Sequence, residues 1–185
     1  MSVESLQDEL VSHLPALRSF ALSLTRNRST ADDMVQDTVV KAWTNLEKFK
    51  EGTNMRAWLF TILRNNFYSS RRKLNREVAD VDGVFAGTLS VKPDHDGRMQ
   101  LAEFQAAFEQ LPDEQREALI LVGASGFSYE EAAEMTGAAI GTVKSRANRA
   151  RKRLVEMLNL NSDGPLEMTD SATMAVVGGG SGRTT

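Results

Sequence analysis

The chain has 185 residues, 41% hydrophobic and 25% charged, which accommodates one domain or two small ones and excludes a large multidomain enzyme or wholesale disorder. With no cysteine, disulfides, zinc–thiolate centres and cysteine nucleophiles are excluded. The formal net charge of −3 conceals two basic blocks: residues 52–76 hold Arg56, Arg64, Arg71, Arg72, Lys73 and Arg76 with no acid, and residues 142–158 hold Lys144, Arg146, Arg149, Arg151, Lys152 and Arg153 with Glu156 the only acid. Two local polyanion sites on an acidic protein are therefore expected.

Strand signals are weak throughout, whereas helical periodicity is strong. Leu6, Leu10, Leu14, Leu17, Ala21 and Leu24 form a first stripe, interrupted at Pro15. Ala31, Met34, Val35, Val39, Ala42, Trp43 and Leu46 form a second, with Ser29 and Thr30 placed as N-cap and Asp32 and Asp33 at the positive end of the helix dipole. A third runs through Met55, Trp58, Leu59, Ile62 and Leu63, on a helix reaching about Lys73. Residues 1–77 thus read as one helical bundle. Periodicity fails over 78–97, around Lys92-Pro93-Asp94, and a flexible linker is expected there. It resumes at Leu101, Phe104, Ala107, Phe108 and Leu111, breaks at Pro112 and continues through Ala118, Leu119 and Leu121, so a second helical domain occupies 98–160. The glycine-rich 161–185 reads as a disordered tail. The expected fold is all-α, two small helical domains joined by a flexible linker. No apolar run approaches the roughly 18–20 residues that span a bilayer, and no basic stretch leads into a hydrophobic one at the N-terminus, so a cytoplasmic protein without membrane contact is expected.

In the second domain Ser128-Tyr129-Glu130-Glu131 has the form of a capping box. It opens a short helix that carries Ala132, Ala133 and Met135 and stops at Gly137; a second helix begins near Gly141-Thr142. Two helices across a tight glycine turn make a helix-turn-helix. Projection of the second helix groups Val143, Ala147, Ala150 and Leu154 as the core face. Ser145, Asn148, Arg149 and Lys152 lie opposite, flanked by Lys144, Arg146, Arg151 and Arg153. Such a face suits a major groove, where Arg reads guanine, Asn reads adenine and other cations neutralise phosphates.

On the helix from Met55, Phe60, Arg64, Phe67, Tyr68 and Arg71 interleave rings and cations, a composition that suits unpaired bases. For either ring alone, packing of Phe60 and Phe67 against a neighbouring helix is the favoured reading, and the nucleic-acid reading rests on the face as a whole. The preceding helix presents Asp32, Asp33, Gln36, Asp37, Val40 and Lys41, an acidic face with one exposed valine; it is either a solvated face or a protein-docking one.

Asp32 to Thr38 through Ala42-Trp43, Met55 to Leu59 leading to Arg71-Arg72-Lys73, Leu111-Pro112 with Gln115-Arg116, and the Ser128–Arg153 helix-turn-helix together resemble an extracytoplasmic-function (ECF, group IV) RNA polymerase sigma factor. Thr53-Asn54-Met55, Leu59 to Asn65 and Ala118 to Glu131 further resemble the EcfG-type general stress response sigma factors of alphaproteobacteria. The resemblance implies a sigma-2 and a sigma-4 domain, core RNA polymerase (β′ clamp helices and β subunit) and promoter DNA as partners, and a NepR-like anti-sigma factor controlled by a PhyR-like response regulator. It implies that Asp33, Gln36, Asp37 and Lys41 bind core polymerase. It places Arg56, Trp58, Arg64, Asn65, Asn66, Tyr68, Arg71 and Arg72 on the −10 element, and Thr142, Lys144, Ser145, Arg146, Asn148, Arg149 and Lys152 on the −35 element.

Three other readings compete. A dimeric helix-turn-helix regulator would leave the acidic face and the aromatic–basic helix without a use. A sigma-like decoy of the PhyR class would be expected to carry a receiver domain. An enzyme lacks any evident carboxylate pair, phosphate loop or nucleophile–base set, and no catalytic residue, metal or cofactor is expected.

Overall fold

A computed structural model describes residues 3–50, 52–79 and 96–159. Among them the secondary structure is entirely helix and turn, in two compact units, residues 1–90 and 91–185. Most of the expected linker and the whole expected tail lie outside the described residues.

The first unit contains α1 (Val3–Ser12), α2 (Leu14–Thr25), α3 (Arg28–Thr44), a 3₁₀ turn (Leu46–Lys48) and α4 (Met55–Ala79). Pro15 sits in the first turn of α2, where its missing N–H is no loss, so the first stripe becomes two helices meeting at His13. The α3 cap is Asn27 and not Ser29 or Thr30: the Asn27 side chain accepts from the Thr30 N–H at 3.0 Å, which moves both expected caps into the first turn. The core joins Leu17, Phe20 and Leu24 of α2, Ala31, Met34 and Ala42 of α3, and Met55, Leu59, Phe60 and Leu63 of α4. Phe20 and Phe60 stack with ring centroids 4.7 Å apart.

The buried line of α3 is Ala31, Met34, Thr38 and Ala42, one step around from the expected stripe. Thr38 is admitted because its hydroxyl donates to the Met34 carbonyl at 2.8 Å, satisfying it within its own helix. Trp43, expected in the core, is 49% exposed instead. α4 also extends six residues past Lys73, to Ala79.

The second unit contains α5 (Asp96–Glu109), α6 (Asp113–Leu119), a π-helical turn (Ile120–Ala124), α7 (Tyr129–Thr136) and α8 (Ile140–Met157). Ala107, Leu111, Leu119, Ala150 and Leu154 make a core cluster onto which Phe104, Phe108 and Leu158 pack. Arg116 is wholly buried, and its guanidinium donates to the carbonyls of Glu109 and Leu111 at 3.3 and 3.1 Å and to the Asp113 carboxylate. It thereby ties the end of α5, where carbonyls lack helical partners, to the start of α6.

Candidate nucleic-acid interface

α7 begins with both bonds of the capping box: the Ser128 N–H donates to Glu131 Oε2 at 2.8 Å, and the Glu131 N–H donates to Ser128 Oγ at 3.0 Å. It ends at Gly137, whose φ of 64° lies in the left-handed region that glycine enters without cost. The turn so fixed directs the chain into α8, where Val143, Ala147, Ala150 and Leu154 are all buried, as the projection requires.

The opposite face is open. Thr142, Lys144, Asn148, Arg149 and Lys152 are exposed, while Ser145 and Arg146 are half-buried. Arg146 pairs with Glu114 of α6 at 2.8 Å, and Arg151 donates to Asn148 Oδ1 at 3.2 Å. Lys144 sits 5.4 Å from the centroid of the Tyr129 ring, so the first helix of the motif helps to fix a cation of the second. Nothing in the sequence around Glu114 marks it as a neighbour of α8.

In the first unit the residues foreseen on α4 divide. Arg56, Trp58, Arg64 and Tyr68 are half-buried, and Asn65, Arg71 and Arg72 are exposed. Arg64 lies over the Tyr68 ring at 4.6 Å and Arg71 over the Phe67 ring at 5.6 Å. Phe60 and Phe67, however, are 1% and 5% exposed, so both rings belong to the core and the packing reading holds for each. Trp58 rests on Phe49 with centroids 5.3 Å apart. The rings left partly accessible are therefore Trp58 and Tyr68, and with the arginine planes they supply stacking surface and cations of the kind suited to an unpaired strand.

Asn66 departs most from expectation. It is 8% exposed; its amide oxygen accepts from Lys41 Nζ of α3, and its amide nitrogen donates to Thr38 Oγ1 at 3.2 Å. Asn66 and Lys41, foreseen on two different interfaces, are in this structure joined between α3 and α4. Asp33, Gln36 and Asp37 are exposed, and Val40, 61% exposed, and Trp43 continue the same face of α3. Asp32 is engaged by Arg18 at 2.7 Å.

Comparison with known proteins matches these two units separately. The Sigma-70 region 2 family matches residues 10–77, and the Sigma-70 region 4 family matches residues 101–154. The ECF RNA polymerase sigma factor EcfG of Rhodopseudomonas palustris is 50% identical over 179 residues, covering 97% of this chain and 98% of that one. The chain belongs to the ECF RNA polymerase sigma factors. A sigma factor RpoE from Bartonella quintana, solved in complex with the anti-sigma factor NepR, is 52% identical with a TM-score of 0.78, covering 86% of this chain and 99% of that one. A chain of the PhyRSL–NepR complex from Sphingomonas sp. Fr1, 22% identical with a TM-score of 0.62 over 87% of this chain and 92% of that one, shares the fold.

As a sigma factor, the protein directs core RNA polymerase to specific promoters, where transcription starts. Region 2 contains α3 and α4, with the acidic and the aromatic–basic faces; region 4 contains the helix-turn-helix. Among the described residues no helix is long and apolar enough to cross a membrane.

Proposed function

We propose that this sigma factor serves the general stress response, acting in the cytoplasm as a promoter-specificity subunit without catalysis of its own. In this reading a NepR-like anti-sigma protein holds it until a PhyR-like regulator competes for that protein. The observation that carries the reading is the 52% identity to RpoE, a sigma factor solved with NepR bound, across 99% of its length. The identity to EcfG over nearly the whole chain supports it.

Within that reading Asp33, Gln36 and Asp37 dock α3 on core polymerase, whose binding surface would have to tolerate or complement their negative charge. Arg56, Trp58, Arg64, Asn65, Tyr68, Arg71 and Arg72 handle the −10 element, and Thr142, Lys144, Ser145, Arg146, Asn148, Arg149 and Lys152 the −35 element. Lys41 and Asn66 act between α3 and α4. The test is transcription by core polymerase plus the full chain during titration with a purified NepR-class protein. Transcription should fall as a sigma–NepR complex appears on gel filtration. Undiminished transcription with no complex would remove the regulatory part of the reading.

A further inference from the structure

Arg146 occupies the shoulder of α8, between the buried stripe and the open face, and is the one cation of that helix held in an ion pair among the described residues. Its partner Glu114 belongs to the first turn of α6 and its side chain is 60% exposed, so the carboxylate stands at the rim of the face that meets DNA. Glu114, Gly141, Thr142, Ser145, Arg146 and Arg149 line an open hollow of about 400 Å³ there. An acid in that place weakens general attraction to a phosphate backbone that carries roughly one charge per 1.7 Å of duplex.

We propose that Glu114 is a specificity-determining positioning residue: it holds Arg146 toward the hollow and penalises DNA that gives Arg146 no base edge to read. This rests on the assignment of α8 to the −35 element. A guanidinium has five N–H donors, so Arg146 can keep its bond to Glu114 while donating to O6 and N7 of a guanine. On a mismatched site Arg146 has no base edge to read, and the exposed Glu114 carboxylate beside it opposes its settling on a backbone phosphate instead. Lys144 and Lys152 stand in no ion pair among the described residues and attract the phosphate backbone of any sequence.

The test measures binding of polymerase holoenzyme, assembled from core and the full chain, to two templates that share a −10 element and carry either a matched or a scrambled −35 element. Glu114→Gln keeps the side chain's shape and removes its charge. It should raise binding to the scrambled template and lower the matched-to-scrambled ratio by about fivefold or more, the lower end of what one well-placed arginine contact contributes. In an Arg146→Ala background the same substitution should move the ratio by less than about twofold, since coupled residues lose their effect together. An equal rise on both templates, or a ratio that still moves without Arg146, would overturn the proposal. If the unaltered holoenzyme fails to distinguish the templates, the −35 assignment of α8 itself fails, and the proposal with it.

Discussion

Asn66→Ala separates a residue that reads DNA from one that holds two helices together. The substitution removes a bond to Thr38 at 3.2 Å, in a site where Thr38 is fully buried, and one from the Lys41 ammonium. A neutral intramolecular bond contributes about 0.5–1.5 kcal/mol net. The charged one adds little, because Lys41 is an exposed residue and its ammonium can return to water. Thr38 keeps its bond to the Met34 carbonyl, so no hydroxyl proton is orphaned. The expected loss is therefore about 1–2 kcal/mol, and for a domain of this size about 5–10 °C in the unfolding midpoint. The two tryptophans, Trp43 and Trp58, both lie in the first unit, so tryptophan fluorescence follows the unfolding of that unit alone. Thr38→Ala should cost less once Asn66 has been replaced, with a coupling of about 0.5 kcal/mol or more. An unchanged midpoint together with lost use of the −10 element would refute the reasoning and return Asn66 to the DNA interface.

Asp37→Arg, at an exposed position on α3, should weaken core polymerase binding by about tenfold while leaving circular dichroism unchanged; undiminished binding would exclude this face from the interface. Ser128→Ala removes one bond of the capping box and should destabilise the second unit by about 1 kcal/mol, seen as faster hydrogen exchange in α7; unaltered exchange would count against the cap. Burial holds the His13 imidazole below its ordinary pKa of 6.5, with Arg56 pushing the same way and Glu9 opposing. The unfolded chain then takes up the proton first, so the stability this group confers is present above about pH 6.5 and declines as the pH falls through that value. His13→Gln should flatten that part of the pH–stability curve, and an unaltered slope would refute the role of burial.

The elements most legible from sequence were those whose signals are local. Ser128 and Glu131 stand three residues apart and bond each other, and Val143, Ala147, Ala150 and Leu154 repeat at helical spacing on a helix with one apolar face. Reading failed where a helix packs on two sides. Periodicity alone centred the α3 stripe toward Val35, Val39 and Trp43, but α2 and α4 together cover Ala31, Met34, Thr38 and Ala42. On α4 the face as a whole was read as open although packing was favoured for Phe60 and Phe67 singly, and stacking of Phe60 on Phe20, a residue forty positions earlier, is invisible to a local window. Buried polar residues were the least legible: Asn66 reads as a DNA contact, and nothing local marks Arg116 as buried, until the carbonyls and side chains they serve are in place. Asn27 displaced Ser29 and Thr30 as a cap because all three residue types can fill that position, and only backbone geometry chooses among them.

Run-off transcription by purified core polymerase, with and without the full chain, on a promoter whose −10 and −35 elements are intact or individually scrambled, tests the central claim most directly. The account predicts initiation from the intact promoter only when the chain is present, with Arg149→Ala reducing it on templates that have a −35 element and changing little on those without one. Promoter binding with no core association and no transcript would contradict it and favour a dimeric helix-turn-helix regulator.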